Sequence, residues 1–319
     1  MEHRKWLEVL KFLEPSELLD TETVCRALRH LCSTDEVWSC HLVEAPLPNM
    51  SYKESYHKQL SPSFLVHIKE SMLAITNVRT LEARSVRLNA PFTPTSFGAW
   101  VSVPKRVVYC GGVHAGRYMA TSFLINIVSL QVEKLPDMHT TRAGGGLEYY
   151  RGNVYVFGGD NGDRQGRPYG DLQAGEKYSL HRKEWTRLPN MNSPRRSFTP
   201  FRHQEKIYIA GGGGANNEVE VFDTATEQFL PSPYTIPFSN RLASCFIIGN
   251  QLAVLSTSKM TIHNLETGVQ VGERSLPSRS DWYSPGGTVT WKGKVYFATY
   301  YESDLLAVDS TWEVSAARD

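Results

Sequence analysis

Between residues 63 and 319 the chain alternates apolar and polar positions in short runs, and the runs recur. The clearest is RGNVYVFGGD at 151–160, a Gly-containing turn, a strand of alternating β-branched and aromatic residues, then a double glycine. Period-two alternation bounded by glycine turns predicts a β-strand. The same unit returns as PKRVVYCGGV at 104–113, QEKIYIAGGG at 204–213, GNQLAVLSTS at 249–258 and KGKVYFATYY at 292–301. With Gly111, Gly158, Gly211, Ser256 and Thr299 as equivalents, successive intervals are 47, 53, 45 and 43 residues. A period in the forties predicts a radial repeat rather than a single compact core.

The flanks repeat as well. Upstream of each unit lies a strand of small residues (RAGGGLEYY, SFTPFRH, RLASCFIIG, SPGGTVTW), and downstream lie an alternating strand, a polar turn and a closing strand with an apolar anchor. In EVEVFDTATEQFLPS at 218–232, Phe222 and Phe229 stand on either side of the DTAT turn. Four short strands cannot bury both faces of their own sheet, so the units must cover one another around a ring, as in a β-propeller. The stretch SMLAITNVRTLEARSVRL at 71–88 reads as the closing half of one more unit. The predicted fold is therefore mainly β, a propeller of six blades whose first blade lacks its innermost strand.

Before residue 63 the periodicity changes. Trp6, Leu7, Leu10 and Leu13 fall at helical spacing, Pro15 breaks the run, and Val24, Leu28 and Leu31 mark a second stripe ending near Trp38. This predicts a small helical module at 1–45, a linker at 46–62 and the propeller at 63–319.

Composition narrows the function classes. With 34 basic and 33 acidic residues the formal net charge is +1, which gives no reason to expect nucleic acid or an anionic membrane and favours protein partners. The five cysteines lack CxxC spacing and read as reduced, buried thiols of a protein of the cytosol or the nucleus. MEHRKWLEVLKFLE is broken by charges and reads as neither signal peptide nor anchor. The glycine runs 144–146 and 211–214 are followed by strands, not by the helix a phosphate-binding loop needs. The ten histidines show no HxH or HExxH spacing, and no GxSxG elbow is present. No catalytic residue, metal site or cofactor is expected.

The double glycine after an apolar strand, followed by Trp185 and an LPNM ending, resembles the kelch repeat. The stretch VLKFLEPSELLDTETVCRALRHLCSTDEVWSCHL at 9–42 resembles the F-box, in its Phe12-Leu13 pair, Pro-x-x-Leu-Leu helix, Val-Cys-Arg core and Asp-x-x-Trp close. Together these resemblances imply a substrate receptor of a ubiquitin ligase. The helical module would dock on a Skp-type adaptor and its cullin, and the propeller would hold a protein substrate, raising its local concentration without chemistry. Leu10, Phe12, Leu13, Leu18, Leu19, Val24, Leu28 and Trp38 are then candidates for adaptor docking or for the module's own core. The alternative is a scaffold of a cytoskeletal or other large assembly, its helices merely capping the propeller.

On the propeller, an arginine recurs about ten residues before the second strand of a unit: Arg142, Arg195 with Arg196, and Arg241. Radial symmetry would bring these around the channel, where convergent guanidinium groups suit an acidic or phosphorylated peptide. Trp282 and Tyr283 would add aromatic anchors. The competing reading is that such arginines hydrogen-bond loop carbonyls at blade junctions. The insertion GDNGDRQGRPYGDLQAG at 159–175 reads as a mobile exposed loop, either a partner contact or tolerated variation.

Overall fold

The chain divides into two compact units, Met1–Pro62 and Ser63–Asp319. The computed structural model describes residues 64–316 except 70, 79, 94, 104–105, 164–169, 215–217, 232, 237–243, 256–258, 276–288, 292–293 and 299–304. The candidate adaptor-docking residues Leu10 to Trp38, and with them the helical module, lie outside the described residues, as do Arg241, Trp282 and Tyr283.

Every described sheet is antiparallel. The first has three strands, β1 (Phe64–Lys69), β2 (Met72–Asn77) and β3 (Ala83–Arg87), in that order. The second runs β4 (Ala99–Val103), β5 (Arg106–Cys110), β8 (Ser122–Asn126), β9 (Val132–Leu135), with the small hairpin β6 (Val113–His114) and β7 (Arg117–Tyr118) between its middle strands. Three further four-stranded sheets follow in sequence order. They are β10 (Gly146–Tyr150), β11 (Asn153–Phe157), β12 (Gly175–Ser179) and β13 (Glu184–Leu188); β14 (Phe201–His203), β15 (Lys206–Ile209), β16 (Glu220–Asp223) and β17 (Gln228–Leu230); and β18 (Ser244–Ile248), β19 (Gln251–Leu255), β20 (Lys259–Asn264) and β21 (Gln270–Ser275). The last comprises β22 (Val289–Trp291), β23 (Lys294–Ala298), β24 (Leu305–Val308) and β25 (Val314–Ala316).

The packing explains the strand composition. In β11, Val154 and Val156 point into one apolar layer, shared with Val101, Val108 and Leu147, while Tyr155 and Phe157 point into another, shared with Phe198, Ile207 and Phe222. A strand buried on both sides must be apolar at successive positions, as VYVF is. The fourth strands face solvent along much of their length, and in β13 only Trp185 and Leu188 are buried. Further layers join the remaining neighbours, and the last, Leu65 and Val78 with Tyr296 and Ala307, brings the first sheet against the last and closes the ring.

The structure shows a mainly β propeller with five four-stranded blades. The count of six expected from the repeat is not reached among the described residues, because the first sheet has three strands. Their positions follow from the outer hairpin, which has a signature in four of the other blades: an Asx or Ser residue closes the turn, and four residues later comes a left-handed φ. Leu130 follows Asn126 in this way, Lys183 follows Ser179, Glu227 follows Asp223 and Gly268 follows Asn264. In the first sheet Leu81, at φ 59, follows Asn77 and donates its N–H to the Asn77 carbonyl. That hairpin joins β2 to β3, in the place it takes between the third and fourth strands of the four-stranded blades.

Candidate partner-binding face

The loops that enter the first strands and those that leave the second strands meet on one face, and the double glycines hold them together. Gly158 and Gly159 sit at φ 60 and 99. A Cβ on Gly158 would lie 2.3 Å from the Arg195 carbonyl of the next blade, and one on Gly159 would lie 2.9 Å from the Ala143 carbonyl of its own. Only glycine permits both the conformation and the approach. The Gly159 N–H uses that approach to donate to the Arg195 carbonyl at 2.9 Å, and Gly112 does the same to Arg142 at 2.8 Å.

Arg142 and Arg195 are interior residues of these joints. Arg142 donates to the carbonyls of Gly158 and Ala174 and to the Glu176 carboxylate at 2.6 Å; Arg195 donates to the carbonyls of Gly211 and Glu218 and to Glu220 at 2.7 Å. Each carboxylate also accepts two backbone N–H groups, those of His139 and Thr140 on Glu176 and those of Asn192 and Ser193 on Glu220. Both pairs are buried. Burial pushes each guanidinium pKa down, and the neighbouring carboxylate opposes that shift. A guanidinium that is 2% or 0% exposed and spent on such partners is withdrawn from any ligand. For these two arginines the expectation of a basic ring around the channel is therefore corrected to the competing one, a latch on loop carbonyls at the blade junction.

Arg196 is placed differently. It ion-pairs with Asp171 and lines a cavity of about 500 Å³. Phe97, Tyr118, Gly144, Asp160 and Ser197 complete its wall, so that three successive blades contribute. Phe97, Gly144 and Ser197 are equivalent residues, at φ 57, 62 and 54, linked across the blades by Gly144 N–H to Phe97 carbonyl and Ser197 N–H to Gly144 carbonyl bonds, both 2.7 Å. A phenylalanine in left-handed conformation is uncommon, and Phe97 nonetheless leaves half its surface, 53%, exposed at the cavity mouth. The insertion is built into this wall at both described ends. Asp160 bridges to Ala143 and Asp171, and Gly170 is buried.

Phe97 and Tyr118 were not singled out from the sequence, because the loop before β4 reads TPTSFG and carries neither the arginine nor the glycine run that mark its equivalents. Among the described residues no group of three or more His, Cys, Asp or Glu could hold a metal ion. Cys110 and Cys245 are free and buried, and burial pushes the Cys245 thiol up to about 12.

The radial sheets, the double-glycine joints and the closing tryptophan define a kelch-type β-propeller. The Kelch motif matches residues 141–192, from the loop that carries Arg142 to just past β13. No curated protein matches the chain.

Proposed function

We propose that this chain is a protein-binding adaptor without catalytic chemistry of its own, and that its partner seats on the face around the Phe97 cavity. The observation that carries this reading is the exposure of Phe97 at a conformation its neighbours hold in place, beside Tyr118 and the Arg196–Asp171 pair. An aromatic anchor above a concave wall with a fixed polar pair is the composition of an interaction hot spot. The anchor suits an apolar partner side chain with polar flanks. The three-stranded first sheet stands in this reading as the sixth blade.

The test compares proteins captured by the full chain, by Phe97→Asp and by Val271→Asp, which alters an equally exposed residue of β21. Partners retained by wild type and Val271→Asp and lost by Phe97→Asp support the site. Equal capture by all three overturns it.

A second reading rests on the F-box resemblance of residues 9–42. In it residues 1–45 recruit a Skp-type adaptor and cullin, and the propeller presents the substrate for ubiquitination in the cytosol or nucleus. Recovery of a Skp-type adaptor with the full chain, and its loss when residues 1–45 are removed, supports this reading. Retention of all partners by both forms favours the scaffold alternative.

A further inference from the structure

A second concave surface lies between the first sheet and the second blade, and it shares no residue with the Phe97 cavity. The cleft holds about 670 Å³ and is lined by Arg87 at the end of β3, Arg106 at the start of β5, Asn89 and Gln131, with Val132 and Glu133 of β9. Neither the Arg87 nor the Arg106 guanidinium has a hydrogen-bond or ion-pair partner among the described residues. The carboxylate of the cleft, on Glu133, already faces the Lys183 ammonium at 3.5 Å. The cleft thus carries an excess of positive charge, while the whole chain is nearly neutral.

Two of the strands that line it, β3 and β9, are sheet edges, and Arg106, Leu124 and Asn126 add the middle strands β5 and β8. Among the described strands β3 pairs only with β2, and β9 only with β8. An edge strand offers a row of unpaired backbone groups, the feature by which extended peptides are recognised. Arg84 of β3 reaches across to donate to the Ile127 carbonyl, which ties the two sheets together. Guanidinium groups at the mouth of a concave, partly apolar site bind carboxylates as a fork, and the low-dielectric walls focus their field.

We propose that this cleft binds an extended acidic segment of a partner protein, with an acidic side chain between Arg87 and Arg106 and an apolar one against Val132. Unpaired backbone edges select an extended peptide over a free anion, and over a helix, whose own backbone groups are already paired.

The experiment titrates the full chain with a fluorescein-labelled peptide of alternating glutamate and leucine and reads anisotropy. Saturable binding is expected. Arg87→Glu combined with Arg106→Glu weakens it at least about tenfold, as loss of two charge-assisted contacts requires. The Arg87→Lys, Arg106→Lys pair keeps the charge but loses the fork, so it binds more weakly than wild type and more tightly than the charge-reversed pair, and Arg182→Ala on the exposed outer turn changes nothing. Where circular dichroism shows the charge-reversed variant to be misfolded, Arg106→Gln replaces it, with a weakening of a few-fold expected. Binding unchanged by charge reversal overturns the proposal, as does an equal loss in Phe97→Asp. Full displacement by millimolar inorganic phosphate would show an anion site without peptide recognition, and tighter binding of a single-stranded oligonucleotide would show the wrong partner class; either result also overturns it.

Discussion

Two joints of this propeller solve one problem with opposite chemistry. At the joint entering β10, the buried Arg142 hydrogen-bonds the Gly158 carbonyl and is neutralised by Glu176; at the joint entering β4, Thr95 Oγ1 donates to the equivalent carbonyl, that of Gly111, at 2.8 Å. In the third strand the residue matching Glu176 is Phe123, whose ring lies 5.3 Å from that of Phe92, which in turn lies 5.2 Å from Tyr109. The joint entering β14 follows the first pattern, through Arg195 and Glu220. The carbonyl of the first glycine must be satisfied in each blade, since a buried unpaired carbonyl is costly. Whether a short hydroxyl or a long guanidinium does so is free to vary, provided the third strand changes with it.

The largest expected effect comes from breaking a charged joint on one side. Glu220→Ala leaves Arg195 buried beside carbonyls alone and is expected to cost about 3–5 kcal/mol, measured as the shift in urea-unfolding free energy. A cost under about 1 kcal/mol would show that the pair does not hold the joint.

Next in size is the glycine. Gly158→Ala adds a Cβ at φ 60 against the Arg195 carbonyl, with an expected loss of about 2–3 kcal/mol. Gly152→Ala, at φ 73 with open space around it, isolates the conformational part, about 1 kcal/mol. Equal losses at the two sites would mean that close approach across the joint contributes nothing.

The comparison is sharpened by converting one joint into the other. In a double-mutant cycle, Arg195→Thr and Glu220→Phe are expected to show a favourable coupling of about 2 kcal/mol, because each single change strands the other's buried group. Additive losses would sink the idea that the two positions vary as a unit.

The same joints show how far the sequence could be read. The repeat phase, the four-strand unit and the outer hairpins were legible, because each leaves its mark within about fifteen residues: a double glycine, an alternating strand, a polar turn. The recurrence of Arg142 and Arg195 was equally visible, and so was the alternative that they serve blade junctions. The deciding residues are Glu176 and Glu220, 34 and 25 positions downstream. They occupy ordinary third-strand positions in EKYS and EVFD, where glutamate reads as solvent-facing alternation. Which way a loop side chain turns depends on that distant carboxylate. Phe97 was hidden for a related reason: its equivalence to Gly144 and Ser197 lies in backbone conformation and cross-blade hydrogen bonds, not in residue type.

A further predicted effect concerns a carboxylate that no joint neutralises so completely. Glu148, on β10, is partly exposed, yet desolvation by the neighbouring strands pushes its pKa up to about 7. Arg202 of the next blade and the Tyr149 N–H, at 3.1 Å, pull the other way without cancelling the shift. Arg202 is partly engaged elsewhere, over the Tyr150 ring at 4.8 Å and on the Gln204 carbonyl. Because the folded pKa lies above the unfolded value, the native state binds the proton more tightly. The stabilisation is therefore fully present below about pH 4.5 and is lost as pH rises through about 7. Solvent screening at this partly exposed site limits the change to on the order of 1–2 kcal/mol. Glu148→Gln is expected to flatten that part of the stability profile between pH 5 and 8, read by urea unfolding at each pH. Arg202→Met is expected to steepen it, since the main opposing charge is gone. If Glu148→Gln leaves the profile unchanged, the carboxylate is hydrated like any surface glutamate, and the contrast between neutralised and unneutralised acids in this propeller disappears.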